Sequence, residues 1–196
     1  MRWDRPPMHE VQVTLPTWVV EQVDYAAPYP TTESRMRLAI ALARGNVERG
    51  TGGPFGAAIF ERGSGRLVAV GVNGVTRLNN STVHAEMVAF QMAEKRIGAY
   101  SLRAEGHAEH ELFSSCAPCA MCLGATLWSG VTRLTYAALR EDAERIGFDE
   151  GPVFADSYAY LRSRGIEIVE GLLRDEACAV LDGYQASGGT VYNAGA

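Results

Sequence analysis

Three of the four cysteines, Cys116, Cys119 and Cys122, fall within seven residues of one another. Two Cys-x-x-Cys pairs overlap there. Pro118 suits the first turn of a helix, which predicts that Cys119 and Cys122 lie three apart on one helical face, with Cys116 ahead of it. Thiolates in a first helical turn gain from the positive end of the dipole, which lowers their pKa and readies them for a metal. A Cys-x-x-Cys pair alone also fits a redox couple. His84-Ala85-Glu86 tips the balance, because it opens a second predicted helix and supplies both a nitrogen donor and a nearby carboxylate. A closed structural zinc site takes four protein ligands, whereas a catalytic site keeps three and leaves the fourth place for water or hydroxide. His84, Cys119 and Cys122 make three, so the expected cofactor is one Zn2+ per chain with water or hydroxide as fourth ligand. Taken singly, His84 reads as a satisfied core histidine and Glu86 as a solvated helix residue; the combination argues against both.

These residue types define a chemistry. Two thiolates cancel the formal charge of zinc, so a carboxylate close by is needed to take a proton from water. Glu86 is the candidate. It would pass that proton to the ring nitrogen beside the attacked carbon and help a second proton reach the departing amine. The reaction class is hydrolytic deamination of an amidine-like carbon.

The elements that must position these groups are legible around them. Five of the eight prolines lie in residues 1–30, where no apolar period holds, and this reads as an arm rather than a domain. Residues 31–196 form the expected single domain with a C-terminal tail. Thr31 and Thr32 are plausible N-caps, with Glu33 in the first turn. Met36, Ala39, Ile40, Ala43 and Val47 then mark one face of a helix near 32–48. Gly52 and Gly53 stop it. Stretches 55–60 and 67–72 flank Gly63, Ser64 and Gly65 as a hairpin. A helix runs from His84 to a C-cap at Gly98, a strand lies near 110–115, and the Pro118 helix stops at Gly130. Val131–Ala137 is a strand, followed by a helix near 153–164, a strand near 166–172 and a helix near 174–186. The alternation predicts an α/β layered domain.

Composition narrows the partners. The chain has 196 residues, 47% apolar and 21% charged, with a formal net charge of -5. Only Lys95 of its 18 basic residues is lysine, and it follows Glu94, so no P-loop is present. Neither G-x-G-x-x-G nor G-x-S-x-G occurs. Gripping nucleic acid takes a clustered positive surface, and none is visible. No apolar run reaches the roughly 18 residues of a membrane span, and prolines and polar residues follow Arg2 and Arg5, so the expected location is the cytoplasm.

His-x-Glu followed by Pro-Cys-x-x-Cys resembles the signature of the nucleobase zinc deaminases. From about Gly52 onward the chain is similar to the cytidine deaminase-like superfamily, and within it to the bacterial guanine deaminases, including those that accept ammeline. The residues that carry this are Gly53-Pro54-Phe55-Gly56-Ala57, Gly71-Val72-Asn73, His84-Ala85-Glu86, Pro118-Cys119-Ala120-Met121-Cys122-Leu123-Gly124-Ala125, and Ile146-Gly147-Phe148-Asp149-Glu150. The resemblance implies a three-layer α-β-α sandwich with a central mixed sheet of about five strands. It implies that Glu150 is a second proton shuttle and that Asn73 hydrogen-bonds the polar edge of a base. Phe55 and Trp128 would line an apolar slot, with Asp149 also at the substrate. Tyr192, in Val191-Tyr192-Asn193-Ala194, would belong to a tail that reaches the site, in some members across a homodimer by exchange. Without the resemblance, Asp149 and Glu150 read as solvated loop charge. One departure stands out: the family usually has Ser-Cys-Glu-Pro-Cys where this chain has Ser115-Cys116-Ala117-Pro118-Cys119, which removes a polar contact near the metal loop. Cys116 and Cys178 are expected only to pack.

Three functions follow for test. The first is zinc-dependent deamination of free guanine to xanthine and ammonia, extending to aminotriazines such as ammeline. The second is a nucleoside or transfer-RNA adenosine deaminase, disfavoured by the acidic balance. The third is a structural zinc module, which would need a fourth ligand such as Cys116.

Overall fold

A computed structural model describes residues 9–193. Pro6 and Pro7 of the arm and Ala194 of the tail lie outside the described residues. Along the chain come α1 (Thr17–Gln22), α2 (Thr32–Glu48), β1 (Gly56–Glu61), β2 (Leu67–Val72), α3 (Val75–Leu78) and α4 (Ala85–Ile97). They are followed by β3 (His110–Cys116), α5 (Ala120–Ser129), β4 (Arg133–Ala138), α6 (Arg140–Arg145), α7 (Ala155–Ser163), β5 (Glu167–Val169) and α8 (Arg174–Ala186). The expected long elements are all present, except that the strand expected near 166–172 is reduced to the three residues of β5. Three short helices, α1, α3 and α6, escaped the sequence reading because four to six residues are too few to establish a 3.6-residue period.

Local chemistry explains the boundaries. The Thr31 side chain accepts from the Ser34 backbone N–H at 3.1 Å while Ser34 Oγ accepts from the Thr31 N–H at 3.1 Å, a reciprocal cap that starts α2. α4 and α5 end at Gly98 and Gly130, both in the left-handed region.

The sheet has strand order β2-β1-β3-β4-β5. β1 pairs antiparallel with both β2 and β3, while β3, β4 and β5 run parallel. Alternation along the strands feeds two cores. Ala58, Phe60 and Phe113 pack with α2 and α8 residues on one face; Ala57, Ile59 and Leu112 pack with residues of α4, α5 and α7 on the other. The result is the expected three-layer sandwich with a five-stranded mixed sheet. Gly71 lets α4 settle onto β2: a Cβ there would stand 2.0 Å from the Ala85 carbonyl oxygen. The arm contributes to the same body. Val19 of α1 is buried, and the Trp18 ring lies on α2 at Gly45 beneath the Arg49 guanidinium, 4.9 Å from the ring centroid.

Candidate active site

Two helix starts meet beside β3. His84 is the N-cap of α4 and Cys119 the N-cap of α5, each with extended backbone that throws its side chain past the helix end. This corrects the sequence placement by a residue or two: both were expected inside a first turn, and Pro118 precedes α5 instead of opening it. Glu86 and Cys122 do lie in the first turns. His84, Cys119 and Cys122 converge, their donor atoms all within 4.8 Å of one another, with Cys119 Sγ 3.5 Å from His84 Nδ1. The hydrogen bond from Cys122, against the opposing effect of burial and aided by His84, holds the Cys119 thiol down at about 4. The same Cys119–Cys122 bond, with burial, pushes Cys122 well up.

One imidazole and two sulfurs at this separation fit a tetrahedral zinc ion. Among the described residues the cluster contains only these three donors. Cys116 does not join it, donating instead towards the Leu139 carbonyl at 3.8 Å. Without a fourth protein donor, the closed geometry of a structural zinc module is not formed.

Glu86 is buried against this cluster. Ser114 Oγ of β3 donates to its Oε1 at 3.1 Å and Cys122 Sγ to its Oε2 at 3.4 Å; burial raises its pKa. Opposite lies a cavity of about 350 Å³. Asn73, at the end of β2, is 1% exposed: its Oδ1 accepts from Val75 N at 3.2 Å and Gly53 N at 3.4 Å, while its buried Nδ2 has no partner. Glu150 is buried too, and its carbonyl accepts from Ala120 N at 3.0 Å, tying the loop after α6 to the start of α5. Burial, reinforced by Cys119 and Glu86, pushes the Glu150 carboxyl up to about 8.

The apolar lining is aromatic. Phe55 and Tyr192 each meet Phe148 edge to face, with ring centroids 5.0 Å apart in both pairs. The tail reaches the site of its own chain: Asn193 Nδ2 donates to Gly147 O at 2.8 Å, and Asp149 N donates to Asn193 Oδ1 at 3.0 Å. Asp149 stands at the rim, where its carboxylate accepts from Gly151 N at 2.9 Å.

Of the residues picked from the sequence, His84, Glu86, Cys119, Asn73, Phe55, Asp149, Glu150 and Tyr192 line this cavity, with Cys122 beneath it. Trp128 does not, contrary to the expectation from the sequence. It is 77% exposed on the outer side of α5. The start of α5 points at the cavity, and nine residues further on the helix has carried Trp128 about 13 Å away. Phe148, Met121 and Val75 supply apolar lining in its place. Phe148 sat inside the Gly-Phe-Asp-Glu run already singled out, so its signal was present and unused.

Comparison with known proteins agrees with this geometry. The profile of the cytidine and deoxycytidylate deaminase zinc-binding region matches residues 30–138. A guanine deaminase of Bacillus subtilis is 40% identical over 124 residues, 63% of this chain and 75% of that protein. A tRNA-specific adenosine deaminase of Buchnera aphidicola is 27% identical over 150 residues, 76% and 90% of the two. The solved guanine deaminase of Nitrosomonas europaea superposes with a TM-score of 0.88 at 40% identity, covering 93% of this chain and 100% of that one. A mutant solved in complex with 8-azaguanine gives 0.87 at 41% identity, covering 91% and 98%. The chain belongs to the family of deaminases that carry the cytidine and deoxycytidylate deaminase zinc-binding region.

Proposed function

We propose that this chain deaminates a free nucleobase hydrolytically, converting guanine and water to xanthine and ammonia, with aminotriazines such as ammeline as further substrates. One observation carries the reading: a single cavity holds two buried carboxyl groups, Glu86 and Glu150, beside the unpartnered amide donor of Asn73. The deaminases of Bacillus subtilis and Nitrosomonas europaea, both named for guanine, support it.

His84, Cys119 and Cys122 would hold one zinc ion per chain; when bound, it supplies Lewis acidity that makes a water in the fourth position acidic. The protein groups do the rest. Asn73 Nδ2 donates to an acceptor on the polar edge of the base, fixing its register, while Phe55, Phe148 and Tyr192 exclude water around the rings. Glu86 takes the proton from water and delivers it to ring nitrogen 3 beside carbon 2. Glu150, protonated at neutral pH, gives its proton to the leaving amino group, and the second proton of the attacking water, released as the carbonyl of xanthine forms, passes through Glu86 to restore the Glu150 acid. Two acids suit guanine: a proton on ring nitrogen 3 eases attack at carbon 2, and a second on the amino group lets it leave.

The acidic balance and the tail over the cavity weigh against a transfer-RNA loop. The uncharged α5, presenting Trp128 to solvent, supports a homodimer, and the free thiols suit the cytoplasm. Among the described residues no helix is long and apolar enough to cross a membrane.

The test is ammonia release by the zinc-loaded protein on guanine, guanosine, adenine, cytosine and ammeline. Guanine is expected to give the highest kcat/KM. A preference for guanosine, adenine or cytosine overturns the reading.

A further inference from the structure

Asn46, near the end of α2, does not line the cavity, yet it is completely buried, and its side chain bonds Gly53, Asn73 and Thr51. Its Nδ2 donates to two carbonyls at 2.9 Å, those of Gly53 and of Asn73. Gly53 in turn donates its N–H to Asn73 Oδ1 at 3.4 Å, so Asn46 grips Asn73 through its own carbonyl and through the neighbour that holds its side chain. The passage between them is narrow. A Cβ on Gly52 would stand 2.0 Å from the Asn73 carbonyl oxygen and 2.7 Å from Asn46 Nδ2, so a side chain there would break the link.

On its other side, Asn46 Oδ1 accepts from Thr51 Oγ1 at 2.6 Å, and that hydroxyl accepts from Trp18 Nε1 at 3.0 Å. The chain of donors is continuous: indole to hydroxyl, hydroxyl to amide oxygen, amide nitrogen to the backbone of Asn73. The arm touches the same loop a second time. Arg77, two residues past the Val75 N–H that also holds Asn73 Oδ1, donates to both the carbonyl and the hydroxyl of Thr14. With its backbone N–H on Phe55 O at 3.1 Å, Asn73 has every polar group engaged except Nδ2.

We propose that Asn46, Thr51 and Trp18 form a positioning unit that aims Asn73 Nδ2 at the substrate, which makes the N-terminal arm part of the base-recognition machinery. This rests on the reading of Asn73 as the group that binds the base. A relay of this kind acts on binding more than on turnover, because the proton-moving carboxyl groups lie on other elements.

The experiment uses the full zinc-loaded chain with guanine. Trp18→Phe keeps an aromatic ring on α1 but loses the indole donor together with the benzo edge that lies on Gly45, so the cleaner variant is Thr51→Val, which keeps the shape and loses only the hydroxyl. Each is expected to raise KM about 3- to 10-fold, the value of one neutral hydrogen bond, with kcat within about twofold of the parent. Thr51→Ser is expected to restore KM. In an Asn73→Ala background, Thr51→Val should raise KM no further, which separates positioning of Asn73 from a general loosening of the fold. Should Asn73→Ala raise KM while Trp18→Phe and Thr51→Val leave it unchanged, or should Thr51→Val act equally in both backgrounds, the relay is wrong and the role of Asn73 stands. An unchanged KM in Asn73→Ala removes both.

Discussion

The two helix starts that hold His84, Glu86, Cys119 and Cys122 differ in construction from the wall that holds Asn73, Glu150 and Tyr192. The helix starts are local: each contributes two groups within four residues, fixed by capping geometry and seated on the sheet. The wall is assembled from the end of β2, the loop after α6 and the tail, joined by side-chain bonds such as those of Asn193 to Gly147 and Asp149. Chemistry that must recur unchanged can sit in short motifs, whereas recognition is spread over segments that vary independently.

The largest expected effect is on the helix starts. Glu86→Gln should lower kcat on guanine by on the order of 10³-fold or more while elemental analysis still finds zinc, because the amide can neither take nor pass a proton. Activity near that of the parent would break the division of labour. Glu150→Ala tests the wall's one chemical group. A fall in kcat of about 10²-fold with zinc retained is expected, and an unchanged rate would leave the wall to recognition alone.

The smallest effect concerns how the wall is anchored. Asp142 receives Leu139 N at 2.8 Å and both arms of Arg174 at 2.8 and 2.9 Å, capping α6 just ahead of the Glu150 loop. The Arg174 bonds, opposed by burial, hold its carboxyl at about 2, below the roughly 3.9 of an unfolded aspartate. The stabilisation is therefore full above about pH 4 and fades as pH falls towards 2. Since Arg174 is partly exposed, Asp142→Asn should cost about 1 kcal/mol in urea unfolding at pH 7, and the two proteins should converge near pH 2. A gap independent of pH would put the effect on packing.

This contrast also explains what the sequence disclosed. The candidate metal ligands and Glu86 were legible because a few residues of spacing and a helix start define them. The long helices and the hairpin were legible through periodicity and glycine stops. Trp128 was misplaced because motif proximity says nothing about which way a helix runs from the site. Asn46 and Ser114 went unread because their roles depend on neighbours 27 and 28 residues away in the chain, Asn73 and Glu86, brought close only by the sheet. Short α3 and α6 carry too little pattern to announce themselves, though both frame the wall.

Gly71 has no functional group and faces a helix, not the cavity. Because α4 rests where a methyl group would have to go, the seat of both His84 and Glu86 depends on that missing methyl. A library of random variants screened for lost activity should therefore return Gly71 beside Glu86. The map of intolerant positions would trace the contact between two layers of the protein as clearly as it traces the reaction.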